Sequence, residues 1–285
     1  MDLRDLLRVR PEQFRLAEVD AAGTPGLPDD RAVTSDPRKW AAEQVATIGA
    51  DLAAYQEKLV AAAKEGTSDR RVLLVLQAMD CGGKDGTVRN VLRAMNPAGI
   101  KAISFGPPDD EERQHDFLWR IRRALPPAGY VGVFNRSHYE DVLVVRVHNL
   151  VPPDVWAQRY EQINAFESDL AQHGLAMVKV MLHISPDEQK ERLLARLDDP
   201  TKWWKYNPGD VEERARWGDY QQAYQDALTR CSTEVAPWYV VPADRKWYRN
   251  WAVATLLRRT MAEVDPGYPE ADFDVAEERR RVLAT

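Results

Sequence analysis

The chain has 285 residues, 44% hydrophobic and 29% charged, enough length and apolar content for one extended core or two modest ones, which excludes disorder as its main state. Its 39 Lys and Arg stand against 45 Asp and Glu, a formal charge of −6, so nothing global points to nucleic acid or an anionic membrane, and any polyanion has to be bound locally. The opening MDLRDLLRVRPEQF mixes charges into its apolar residues, which argues against a signal peptide or membrane span and for a cytoplasmic protein.

Residues 1–36 are rich in Pro, Gly and Asp and read as an N-terminal arm wrapping the domain. Pro37 to Glu65 spaces Val45, Ile48, Leu52, Leu59 and Val60 as a helix does. Arg71-VLLVLQ is a short unbroken apolar run, suited to a central parallel strand. A glycine turn, Ala78-MDCGGKDGT, follows, and Val88-RNVLRAMN resumes helically. Strands are then expected at Lys101-AISF, Tyr130-VGVF, Leu175–Ile184 and Trp238-YVV. The helices between and after them are expected at Asp110–Leu125, Asp154–His173, Ser185–Leu197, Val211–Cys231 and Lys246–Val264. Ser185 and Glu188 have capping-box spacing, with Pro186 in the first turn. This alternation implies one α/β domain over residues 37–264, with a parallel sheet covered by helices on both faces. Residues 265–285 form a C-terminal tail.

The glycine turn carries the sharpest signal. A buried strand, a turn ending in Gly-Lys and then a helix make a phosphate cradle from backbone N–H groups and a lysine charge. The expected cradle comprises Gly82, Gly83, Lys84, Asp85, Gly86 and Thr87, with the glycines allowing close approach. The strict pattern, GxxxxGK followed by Ser or Thr, fails twice: Ala78 stands at the first Gly and Asp85 at the hydroxyl. The usual magnesium ligand is therefore missing, while Asp80 sits inside the loop. A carboxylate beside phosphates calls for a divalent cation between them, so Mg²⁺ is expected at Asp80.

The third strand ends Asn135-Arg136-Ser137-His138-Tyr139-Glu140-Asp141. Asn135 stands where such strands often place a metal-directed Asp, which shifts the burden to Asp80, with Glu140 or Asp141 as candidates beside it. Arg136, at a parallel strand's C-terminal end, points into the crevice where these sheets bind ligands. On the helix expected over 110–125, Arg113, Asp116 and Arg120 share one stripe. Arg192 and Arg196 are i,i+4 neighbours on a helix placed where a closing lid belongs, about residues 185–210, with Lys202 and Lys205 following.

These residues resemble the polyphosphate kinase 2 family. Ala78-MDCGGKDG, His115-DFLWR, Phe134-NRSHYEDVLVVRVH, His183-ISPDEQKERLLARL and Pro200-TKWWK occur in its order and spacing, within about residues 37–264. The resemblance implies a P-loop kinase-like fold with a helical lid, and phosphoryl transfer between inorganic polyphosphate and nucleotides with Mg²⁺, Mn²⁺ being an alternative ion. It implies that Asp80 and Lys84 are the essential loop pair, Arg136 a strand-end phosphate ligand, and Arg192 and Arg196 lid arginines. FNRSHYEDV resembles the subgroup accepting both nucleoside mono- and diphosphates, so AMP and ADP are the expected acceptors and ATP a product. The family also implies a homo-oligomer.

On this reading Asp80, Lys84 and Arg136 are catalytic, Arg120, Arg136, Arg192 and Arg196 join the phosphate cradle, and Arg113, Asn135, His138 and Glu140 contact the nucleotide. Transfer to an already ionised phosphate needs alignment and charge neutralisation rather than a strong base, so His138 and His115 are read as structural rather than acid–base groups. Two rivals share the loop: an ATP-dependent kinase of a small metabolite, and a protein that binds polyphosphate without turnover. Cys81 and Cys231 are read as reduced thiols. With His115, His138 and His148 they lack a compact zinc motif.

Overall fold

The computed structural model describes residues 2–285. Strands β1 (Arg71–Ala78), β2 (Ile100–Ser104), β3 (Val131–Asn135), β4 (Leu175–His183) and β5 (Trp238–Pro242) form one sheet in the order β2-β3-β1-β4-β5. Every adjacent pair is parallel, so each connection must cross over the sheet. The central strands β1 and β4 are buried almost throughout, because helices cover both faces. This is why β1 reads as a continuous apolar run instead of an alternating one.

The helices are α1 (Leu3–Leu7), α2 (Arg31–Ser35), α3 (Pro37–Lys64), α4 (Lys84–Val91), α5 (Trp119–Ala124), α6 (Val144–Val147), α7 (Pro153–Gln172), α8 (Pro186–Leu197), α9 (Gly209–Ala215), α10 (Trp217–Arg230), α11 (Lys246–Val264) and α12 (Val275–Leu283). Val72, Leu74 and Leu76 of β1 pack with α3 and α11, whereas Leu73 and Val75 pack with α7 and α10 on the other face. Asp36 caps α3 by accepting from the Lys39 N–H at 3.0 Å, and Ser185 caps α8 by accepting from that of Glu188 at 3.1 Å.

Three expectations change. The stretch 110–125 is not one helix: Glu112–Gln114 forms a 3-10 turn, His115 is extended, and only Trp119–Ala124 is α-helical. Asp109 and Glu112 cap each other's backbone N–H groups, and Asp116 accepts from Leu118 at 3.0 Å, so these acidic side chains compete with the helix for its donors. The stretch 211–231 divides at Arg216 into α9 and α10. The glycine turn feeds its helix at Lys84, four residues before Val88.

The arm is fixed to the β5 side of the sheet. Leu3 and Leu7 enter the core, the Val9 N–H donates to Trp238 O at 2.9 Å, and Arg8 forms a lone antiparallel bridge with Tyr239. This covers a sheet edge that would otherwise be open to pairing. Further on, Ala21 O accepts from the Asp244 N–H at 3.1 Å and Pro25 O from the Tyr248 hydroxyl at 2.7 Å. Among the described residues, no helix is long and apolar enough to cross a membrane.

Candidate active site

The C-terminal ends of β1 and β3 open into a crevice of about 670 Å³ that also receives side chains from α4, α8 and α11. The loop leaving β1 turns sharply at Cys81 (φ 63) and Gly83 (φ 97) before α4 begins. Ala78, in place of the usual first glycine, puts its methyl where a Cβ on residue 82 would collide with it, which makes Gly82 obligatory. Gly83 is doubly constrained, by its left-handed φ and by the Arg249 guanidinium, which occupies the space a Cβ would need. The first N–H groups of α4 lack intrahelical acceptors and leave the positive end of the helix at the crevice.

Lys84 folds back over this loop and donates to Ala78 O at 3.1 Å. Burial and the nearby Arg136 charge hold its pKa below the ordinary lysine value. Arg136 sits just past β3 with φ 63 and donates to Asp80 Oδ1 at 2.9 Å. Asn135 donates through Nδ2 to Asp85 Oδ1 at 2.7 Å, and Lys205 lies 4.0 Å from the same carboxylate. Asp85 therefore ties the loop to β3 and to the segment after α8.

From α8, Arg192 donates to Cys81 O at 2.9 Å and to the carbonyls of Ala243 and Asp244, clamping the loop to the β5–α11 corner. Arg196 reaches Lys205 O at 2.9 Å and Asp210 at 3.2 Å. No local signal in the sequence marks Arg249 of α11, one of four basic residues in that helix. It is 3% exposed, its side chain bonds to Asn250, and burial with the charge of Arg192 pushes its pKa down to about 10. A buried guanidinium held in this way calls for an anion. Nine basic side chains line the crevice, Arg89 and Lys246 among them, against three acidic ones.

Other expected residues lie elsewhere. Thr87 is fully buried and donates its hydroxyl to Gly83 O at 3.1 Å, so it shapes the loop from behind and does not line the crevice. His138 is 1% exposed and turned to Glu167, which removes it from nucleotide contact. Arg120 donates to Gly106 O at 2.9 Å and pairs with Glu112, because the broken helix turns it back onto its own loop and out of the crevice. Arg113 is exposed beside Asp110, and Asp141 is engaged by Arg159. Arg113, Arg120, Arg136 and Glu140 all border a second pocket of about 510 Å³, which meets the crevice at Phe105 and Arg136 and has Phe117 and Val144 in its wall.

A smaller pocket of about 300 Å³ joins the crevice through Asp80, Arg136 and Asp210, and adds Glu140 and Glu213. Burial, then the charge of Asp80, raises the pKa of Asp210; a cation between the two carboxylates would relieve that repulsion. Among the described residues no three His, Cys, Asp or Glu side chains gather as a metal cage. One or two carboxylates with the remaining oxygens drawn from phosphate and water suits Mg²⁺, a hard ion that keeps part of its hydration, so the residues present fit such an ion.

A parallel sheet with this loop at its central strand, an arginine-bearing helix over it and a strongly cationic crevice defines a P-loop kinase-like phosphotransferase. Residues 38–267 match the model of the family Polyphosphate kinase 2 (PPK2), and the chain belongs to that family. It is 47% identical over 266 residues to the AMP/ADP-polyphosphate phosphotransferase of Meiothermus ruber, spanning 93% of this chain and 95% of that one. With the ADP-polyphosphate phosphotransferase of Rhodopseudomonas palustris the identity is 39% over 280 residues, 93% and 94% of the two chains. The crystal structure of Polyphosphate Kinase 2 from Arthrobacter aurescens TC1 superposes with a TM-score of 0.92 at 49% identity, covering 100% of this chain and 98% of that one.

Proposed function

We propose that the protein transfers the terminal phosphoryl group of inorganic polyphosphate to AMP and ADP, forming ADP and ATP. The observation that carries this reading is the excess of nine basic over three acidic side chains in one crevice, in a chain 47% identical to an AMP/ADP-polyphosphate phosphotransferase. A single nucleotide does not need so many cations, whereas a phosphate polymer does.

Lys84, the α4 N-terminus and Arg249 hold the terminal part of the phosphate chain. An oxygen of the acceptor's terminal phosphate attacks the chain's last phosphorus, and the bond from that phosphorus to the bridging oxygen breaks, leaving the polymer one phosphate shorter. Arg136 faces the charge that spreads over the phosphoryl oxygens during transfer. Asp80 and Asp210 would hold Mg²⁺, which neutralises phosphate charge when bound. The 510 Å³ pocket, with an apolar wall and Arg113 and Glu140 at its border, is a fitting receptacle for the acceptor's nucleoside. Arg192 and Arg196, with residues 185–210, act as a lid that excludes water.

The test supplies AMP or ADP with polyphosphate and Mg²⁺ and no ATP. ADP and ATP should form; no product under any of these conditions, with ATP-dependent phosphorylation of another compound, would favour a small-metabolite kinase.

A further inference from the structure

Behind the Arg136 turn lies a group of buried polar side chains that none of these steps uses. His138 and Tyr139, which follow in the turn, both reach Glu167 of α7. His138 Nε2 lies 3.1 Å from Oε1, and the Tyr139 hydroxyl donates to the same oxygen at 2.9 Å. Lys179 of β4 donates to the other carboxylate oxygen of Glu167, to the Tyr139 hydroxyl at 2.8 Å and to Cys231 O at 2.7 Å. The Glu167 and Lys179 side chains are wholly buried. Burial pushes the Glu167 pKa up, but Lys179 and His138 outweigh it and keep the carboxyl below its ordinary value.

Such a pair is a poor source of stability, since desolvation offsets the attraction and apolar replacements of similar volume are often as stable. The geometry supplies another reason for it. Arg136 is a non-glycine residue in the left-handed region, a conformation that persists only when its surroundings over-determine it. On its N-terminal side the constraint is the backbone bond from Arg136 N–H to Leu76 O at 3.0 Å. On its C-terminal side the constraints are Ser137, fully buried with its Oγ accepting from the Tyr139 N–H at 3.2 Å, and the two side chains anchored on Glu167.

We propose that Glu167 is a positioning residue: its carboxylate, set by Lys179, anchors His138 and Tyr139 and so keeps the strained Arg136 turn aimed at the reacting phosphates. The proposal rests on the reading of Arg136 as a phosphate ligand.

Two double variants, E167Q/K179M and E167L/K179M, test it. Both remove the buried pair, but only Gln keeps an oxygen for His138 and Tyr139. E167Q/K179M should keep kcat within about threefold of the parent, whereas E167L/K179M should lose about 30-fold or more in kcat with the KM for nucleotide nearly unchanged, as a displaced charge-stabilising group would. Equal kcat in two folded doubles would overturn the proposal. Should E167L/K179M not fold, His138→Phe leaves Glu167 its bonds to Tyr139 and Lys179 and should lower kcat about tenfold without a change in KM; kcat within twofold of the parent overturns it. Arg136→Ala is the control. Full activity there removes the phosphate-ligand reading itself, while a large loss there with equal doubles removes the positioning role alone.

Discussion

At the scale of single residues, Lys84 and Arg249 share a physical situation: each is a cation held in a poorly solvated site near another cation. Each therefore has a folded-state pKa below its unfolded value. The unfolded chain binds more protons in the range between the two values, so the free protein gains stability as pH rises there. A bound phosphate chain reverses the balance by favouring the protonated forms. Polyphosphate binding should then take up protons as pH approaches the value of about 10 to which Arg249 is depressed, and affinity should fall as pH rises through it. Calorimetry in buffers of different ionisation enthalpy reads the uptake directly, and its absence would place the phosphates away from these cations. Lys84→Met removes the buried charge and keeps the aliphatic stem. We expect a loss of about 10² to 10³ in kcat, the range for deleting one charge-stabilising donor, with a melting temperature no lower than the parent's. Substantial transfer by the folded variant would remove Lys84 from the reaction.

Among the elements, the N-terminal arm has a role its irregular sequence does not suggest. Its carbonyls at Ala21 and Pro25 hold Asp244 and Tyr248. The same corner offers the Ala243 and Asp244 carbonyls to Arg192 and launches α11, which carries Arg249. Deleting residues 2–25 should therefore expose the β5 edge, lower the melting temperature by several degrees and raise the KM for polyphosphate, as thermal melts and initial rates would show. An intact KM would mean that the corner holds without the arm. The broken element at 110–125 teaches the converse: Phe117, Ile121 and Leu125 have helical spacing, yet Asp109, Glu112 and Asp116 lie close enough to cap backbone N–H groups that the helix needed. Periodicity reports which residues are buried, and local polar competition decides whether the backbone between them is a helix.

For the whole molecule, the charge of −6 is unevenly spread. Residues 1–36 hold five basic and eight acidic side chains and residues 265–285 hold three and six, so residues 37–264 are neutral. A neutral domain with nine cations around one crevice binds a polyanion at one place and repels it elsewhere. The tail fits this picture. Lys58 pairs with Asp265 at 2.6 Å and Glu57 accepts from Tyr268 at 2.9 Å, but beyond them α12 is almost wholly exposed. A chain ending at Tyr268 should melt within about a degree of the full chain, since surface segments without buried contacts contribute little, and keep its kcat. A large drop in either would show that α12 docks on something the isolated chain does not display.

By itself the sequence determined the α/β class, the extents of the long helix α3 and the closing helix α11, and the glycine loop that lines the crevice, because each of these is written in local signals. Apolar runs mark doubly covered strands, capping residues mark helix starts, and Gly-Gly-Lys after a buried strand needs no distant partner to be read. Only the tertiary structure decided which charges meet. Arg249 lies 165 residues from Lys84 in the chain and joins it because α11 crosses the loop. Asp210 comes to Asp80 through the segment after α8. His138 and Thr87, two and three residues beyond Arg136 and Lys84, face the core. A residue's type tells what it can do, but the direction of its side chain and the depth of its burial are set by packing across the whole sheet, and these separate a ligand from the scaffold that holds it.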